Sequence, residues 1–132
     1  PIAEHPDVAR MLTEMRAVTL AGRLLALEAA AALDRHHLTG DEAAAARLAL
    51  LTPVVKSWCS DRGVEVASLG VQVHGGMGFV EDAGAAQVMR DARIAPIYEG
   101  TNGIQAIDLL VRKVARDDGA AREIGNVDLH DF

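Results

Sequence analysis

The sequence predicts an all-α domain, on three observations. Half of its 132 residues are hydrophobic but only 3% are aromatic, so the interior is built from alanine, leucine and valine, which suits closely packed helices better than a sheet sandwich. Apolar residues recur at steps of three and four through the first quarter of the chain, the period of one helix face. Alanine runs at Ala29–Ala32 and Ala43–Ala46 read as places where helices approach closely.

The first element is predicted from Asp7 to about Arg35, with Val8, Met11, Leu12, Met15, Val18, Gly22, Leu25, Ala29 and Leu33 on one face. His5-Pro6-Asp7 starts it, since proline is tolerated in the first turn. About 29 helical residues span roughly 43 Å at 1.5 Å per residue, the arm of a bundle. Leu38-Thr39-Gly40-Asp41 ends it and offers Asp41 as the next N-cap.

A second helical region runs from Glu42 to about Val73. Thr52-Pro53 interrupts it, either as a kink or as the cap and first residue of a fresh helix. His74-Gly75-Gly76-Met77-Gly78-Phe79 is too glycine-rich to stay helical, and a short helix of roughly 83–92 follows. A loop through Pro96 delivers Tyr98 and Glu99. The last helix starts near Asn102, where Asn102 and Gln105 have the spacing of a capping box, and continues through Ile107, Leu110, Val111 and Val114. The domain is expected over residues 1–116, with 117–132 an irregular tail or the start of a following segment.

Composition excludes several classes. A net charge of −6 argues against a nucleic-acid surface, which normally shows clustered excess Lys and Arg. The single cysteine, Cys59, allows no internal disulfide and no metal-knuckle spacing, so no metal site is expected, and a reducing, cytoplasmic compartment fits best. No apolar run approaches the roughly 20 residues of a membrane span, and PIAEHPD is not a signal peptide. The absent initiator methionine suggests a chain that starts within a longer protein.

Two features can carry chemistry. The glycines of QVHGGMGF, Gln72 to Phe79, let the backbone approach a ligand and turn N–H groups toward an anion such as a pyrophosphate. The same glycines can equally do no more than end a helix. Their spacing is not a dinucleotide fingerprint, and His74 reads as a hydrogen-bonded structural residue. The second feature is Glu99, between Tyr98 and Gly100 and just before a helix start. An aromatic neighbour desolvates a carboxylate and raises its pKa, while the positive helix end acts in the opposite direction. That tension suits a base removing a proton beside a carbonyl; local sequence also allows an incidental loop acid.

Together QVHGGMGF, Glu81-Asp82, RDARI from Arg90 to Ile94 and IYEGTNGIQ from Ile97 to Gln105 resemble the C-terminal helical domain of acyl-CoA dehydrogenases, in order and spacing across Gln72 to Leu110. YEGTNGIQAIDLL preceded by VQVHGGMGF is most similar to the branch that includes 3-methylmercaptopropionyl-CoA dehydrogenases. The resemblance implies an antiparallel helical bundle, lacking its first helix here, from an FAD-dependent oxidoreductase of fatty acid metabolism. Glu99 then matches the family's general base, which takes the α-proton of an acyl-CoA while FAD accepts the β-hydride, giving a trans-2-enoyl-CoA. Tyr98 and Gly100 match positions beside the substrate, and Thr101 and Gly103 fall where the family's loop contacts FAD. A polar side chain often stands at the position of Gly103, so contact there is by backbone. Gln72, Gly75 and Gly76 match the segment that meets the adenosine and pyrophosphate of an FAD held mainly by a neighbouring subunit.

The resemblance further implies a homodimer or homotetramer and an electron-transfer flavoprotein or similar acceptor. It leaves open an acyl-CoA oxidase and a non-catalytic helical assembly module. Counterparts of the family's N-terminal helical and middle β-domains are missing from the 132 residues, which alone are expected neither to hold FAD tightly nor to turn over acyl-CoA.

Overall fold

The computed structural model describes residues 1–114. The tail expected over 117–132 lies outside them. A 3₁₀ turn at Ile2–Glu4 leads into α1, Pro6–Thr39, and α2, Glu42–Val73. The one-turn helix α3, Gly76–Phe79, a 3₁₀ turn at Glu81–Ala83 and α4, Ala85–Ile94, follow. The helix α5, Asn102–Ile107, continues as a π-helical stretch over Asp108–Val114. Among the described residues there is no strand, as the composition predicts.

The two long helices form an antiparallel hairpin because the chain between them is only two residues long and each is conformationally specified. Gly40 sits in the left-handed region (φ 71°, ψ 21°) and its N–H reaches the His36 carbonyl at 2.8 Å, the ending that glycine allows at no steric cost. Asp41 is extended, and its Oδ1 accepts from the backbone N–H of Ala43 (2.9 Å) and Ala44 (3.1 Å). That cap satisfies two of the free donors at the start of α2. Residue numbers then run in opposite directions along the seam: Arg47 pairs with Glu28 at 2.7 Å, Trp58 and Cys59 lie against Gly22, and Gly70 lies against Met15.

The α1 face differs slightly from the one expected. Met11 and Ala32 are buried, and Met15, Val18, Gly22, Leu25, Ala29 and His36 are half-buried. These positions alternate steps of four and three, an average of 3.5, which keeps one stripe facing a long partner. Leu12 and Leu33 fall one position off the stripe and are exposed, so the small Ala32, not Leu33, takes the close contact.

Helix α2 settles the question raised by Thr52-Pro53: it runs unbroken through a buried Pro53. Proline in a helix interior removes one hydrogen bond and costs about 3 kcal/mol, so packing has to hold this turn. Thr52 Oγ donates to the Leu48 carbonyl at 2.8 Å and Ser57 Oγ to that of Pro53 at 2.7 Å. The helix is central, with α1 on one side and α3, α4 and α5 also packed on it.

The glycine-rich segment is more helical than expected. After His74, whose Nδ1 lies 2.8 Å from the Gly70 carbonyl as a structural residue, Gly75 reverses the chain at φ 60°, ψ −145°. One helical turn, Gly76–Phe79, then forms instead of an open loop, because Gly78 tucks against the end of α2. Arg90 forks onto Glu81, with its Nη1 and Nη2 at 2.8 and 2.5 Å from the two carboxylate oxygens, and fixes α4 to the preceding turn.

Candidate functional site

The loop between α4 and α5 is shaped by backbone hydrogen bonds before any side chain acts. The N–H groups of Ile97 and Tyr98 both reach back to the Ile94 carbonyl (2.9 and 3.1 Å), and the Asn102 N–H closes the loop on the Pro96 carbonyl at 3.2 Å. Inside it Glu99 has φ 54° and Gly100 φ 90°. Glycine adopts such a conformation freely, whereas a glutamate held there costs on the order of 1–3 kcal/mol. Glu99 is the one non-glycine residue at positive φ among the described residues.

The capping box expected at Asn102 and Gln105 does not form. Thr101 is the N-cap residue, without a side-chain cap bond, and Asn102 is already helical. Its side chain is drawn to α2 instead: the two N–H groups of Nδ2 are shared among the Ser57 carbonyl (3.2 Å), Ser60 Oγ (3.0 Å) and Asp61 Oδ1 (2.7 Å). Its Oδ1 accepts from Lys56 Nζ at 2.8 Å, and the same ammonium donates to the Gly100 carbonyl at 2.6 Å. Gln105 Nε2 reaches the Glu99 carbonyl at 3.5 Å.

Glu99 and Tyr98 border an open groove of about 350 Å³ whose other walls are Val55, Lys56, Cys59, Ser60 and Ala95. Glu99 is exposed and Tyr98 is 52% exposed. Within this chain the ring therefore does not bury the carboxylate, contrary to the desolvation expected from their adjacency. In the wall of the groove Cys59 is half-buried, its Sγ 3.7 Å from the Gly22 carbonyl, and burial pushes its thiol pKa up, which disfavours the nucleophilic thiolate.

The other expected site residues fall into two places. Thr101 and Gly103 are exposed beside Glu99 at the start of α5, and a side chain built at Gly103 would meet only Thr101 Oγ1, at 3.9 Å. Gln72, Gly75 and Gly76 are exposed at the far end of α2, roughly 24 Å from Lys56 at 1.5 Å per residue. Side chains built at Gly75 or Gly76 would meet nothing within 4 Å, so bare backbone faces open space there, as an approaching ligand requires. The structure thus groups Tyr98, Glu99, Gly100, Thr101 and Gly103, and leaves Gln72, Gly75 and Gly76 apart. Lys56, Ser60 and Asp61 enter the site unannounced by any local pattern, since they lie more than 40 positions from Asn102. Among the described residues no group of three or more His, Cys, Asp or Glu is arranged to hold a metal ion.

Comparison with known proteins places this geometry in context. Residues 1–114 match the family model described as acyl-CoA dehydrogenase, C-terminal domain. Over 122 residues the chain is 57% identical to a 3-methylmercaptopropionyl-CoA dehydrogenase of Ruegeria pomeroyi, covering 90% of this chain and 21% of that protein. A broad-specificity linear acyl-CoA dehydrogenase of Mycobacterium tuberculosis is 38% identical, covering 91% of this chain and 20% of its own length. The chain thus spans about a fifth of these relatives. A solved structure described as the Bd2924 apo-form superposes with a TM-score of 0.84 at 27% identity, over 92% of this chain and 24% of that one.

Proposed function

Because the chain belongs to the acyl-CoA dehydrogenase family, as its C-terminal helical domain, we propose that Glu99 is the base that removes the α-proton of an acyl-CoA thioester in a larger flavoprotein. The observation that supports this most is the built loop: a glutamate at positive φ, its carboxylate free at a groove, on a backbone clasped to α2. An incidental surface acid needs no such conformation, and strained residues of this kind concentrate at functional sites.

The chemistry follows from the position of the carboxylate. Ionised Glu99 takes the proton from Cα, and the C–H electron pair becomes the Cα–Cβ double bond as hydride leaves Cβ. FAD, when bound, supplies the acceptor for that hydride. Tyr98 walls the groove that receives the thioester, and Gly100 gives the main chain beside it the positive φ of the turn. Thr101 and the backbone at Gly103 would contact the cofactor when it is bound. Gln72, Gly75 and Gly76 would hold the adenosine and pyrophosphate end of an FAD bound mainly by a neighbouring subunit; the open space at the two glycines fits that use.

The relative at 57% identity makes 3-methylmercaptopropionyl-CoA the first substrate to assay. A homodimer or homotetramer, a cytoplasmic setting and reoxidation by an electron-transfer flavoprotein or similar acceptor complete the reading; among the described residues no helix is long and apolar enough to cross a membrane. In the full-length flavoprotein, Glu99→Gln should retain FAD and acyl-CoA binding while turnover falls by roughly 10²–10⁴-fold, since the reaction loses its proton acceptor. Turnover within tenfold of the parent would sink the assignment.

One observation favours a second reading, a non-catalytic assembly module. Leu20, Leu24 and Leu27 form a stripe on α1 that is 55–63% exposed, the kind of surface that packs against another element. An oligomer whose Glu99→Gln variant loses nothing would identify the module.

A further inference from the structure

Resting on the reading of Glu99 as the base, we infer that Lys56 is its positioning residue, acting with Asn102 through the backbone of the loop. Three observations converge on this role. The carbonyl that Lys56 Nζ holds at 2.6 Å belongs to Gly100, the residue directly after Glu99. Both residues sit at positive φ, so the peptide held by the ammonium is part of the strained turn that aims the carboxylate. Among the described residues no hydrogen bond or ion pair reaches the Glu99 carboxylate, so its direction is set by its own backbone.

The clasp has a defined polarity. Lys56 can only donate and an ionised Asp61 can only accept. They grip opposite ends of the Asn102 amide, at 2.8 Å to Oδ1 and 2.7 Å from Nδ2, which leaves that amide one orientation. Ser60 Oγ and the Ser57 carbonyl complete its partners. The loop is thus tied to a long helix at Gly100 and Asn102, immediately downstream of Glu99. The Lys56 side chain is half-buried and forms a wall of the same groove. Its charged tip binds two neutral oxygens and, among the described residues, no carboxylate. A residue whose work is to hold the fold would show up in stability; one that aims the base shows up in the chemical step.

The test uses the full-length FAD-loaded enzyme. Lys56→Met keeps the stem and removes the donor, and is expected to lower kcat by about 100-fold, the effect of an ångström-scale misplacement of a reacting group. Bound FAD and the Kd of a non-oxidisable thioether analogue of the acyl-CoA should stay within about threefold. Lys56→Arg, which restores a charged donor, should recover kcat to within about tenfold of the parent. A Lys56→Met enzyme with kcat within threefold of the parent overturns the inference. So does a loss of analogue binding as large as the loss of kcat, which would make Lys56 a substrate contact. If Lys56→Met does not accumulate as a folded flavoprotein, Asn102→Ala carries the same expectation at about tenfold, and an unchanged kcat overturns it. Glu99→Gln measured alongside separates the two claims. An active Glu99→Gln removes the premise, whereas an inactive Glu99→Gln beside a normal Lys56→Met refutes positioning alone.

Discussion

The three glycines of QVHGGMGF separate cleanly into Gly78, which serves packing, and Gly75 and Gly76, which face open space, and alanine substitutions at Gly78 and Gly76 expose the difference. A Cβ at Gly78 would lie 2.3 Å from the Val71 carbonyl oxygen, 3.0 Å from its carbon and 2.9 Å from His74 Cβ. The obstructing atoms are mainly backbone at the end of α2, so no side chain can swing aside. Relief requires α3 to move away by about 1 Å, and overpacking of this kind costs typically 1–3 kcal/mol. Replacing glycine by alanine in a helix returns up to about 1 kcal/mol, but the clash is with backbone, so a net loss of about 2 kcal/mol is expected. For a domain of this size that lowers Tm by roughly 6–8 °C. At Gly76 a Cβ meets nothing within 4 Å, so Gly76→Ala should leave Tm within about 1 °C while weakening FAD retention. Differential scanning fluorimetry of the isolated domain reads the first, and flavin fluorescence from the full-length flavoprotein, which follows FAD release, reads the second. A Gly78→Ala protein as stable as the parent, or a Gly76→Ala protein destabilised as much as Gly78→Ala, would refute this division.

Three other expectations follow from the same geometry. Asp41→Ala removes both acceptor contacts to the start of α2 and should cost about 1 kcal/mol in denaturant unfolding, with Asp41→Asn retaining most of the stability. The raised pKa of the half-buried Cys59 keeps its thiolate scarce, so iodoacetamide at about pH 8 should label it more slowly in the native than in the denatured protein; equal rates would contradict the burial. The hydrogen-bonded Arg90 guanidinium holds the Glu81 carboxyl below its ordinary value of 4.5. A depressed carboxyl pKa stabilises the folded state above that value and loses the contribution as pH falls through the folded pKa. The Tm difference between the parent and Glu81→Gln should therefore shrink below about pH 4.5, and a gap that widens on acidification would reverse the sign.

Local chemistry explains what was legible in the sequence. Gly40 and Asp41 announce the hairpin turn because a left-handed helix end and a carboxylate cap each need a specific residue at a specific place. The limits of α1, α2 and α4 follow within a few residues from periodicity and glycine placement. What local chemistry cannot carry is the choice between competing partners. Asn102 has the spacing of a cap, yet its amide is taken by Ser57, Ser60 and Asp61, because contacts across 41 to 45 positions offer more than one free backbone donor does. Pro53 reads as an interruption, and packing overrides it. The stripe on α1 passes through Ala32 and not Leu33, because a long antiparallel seam has a period of 3.5 while a single helix face does not demand it. Glu99 stood out by family resemblance, but its left-handed backbone and the Lys56 clasp are visible only once α2 and the loop are packed together.

The central claim, that Glu99 moves the α-proton, is tested most directly by solvent exchange. The full-length flavoprotein and its Glu99→Gln variant, each shown to bind the ligand, are incubated in D₂O with an acyl-CoA analogue that cannot lose its β-hydride. Deuterium at Cα is followed by mass spectrometry. Exchange is expected from the parent and none above the uncatalysed background from Glu99→Gln; exchange at the parental rate by the variant would contradict a role for Glu99 as the base.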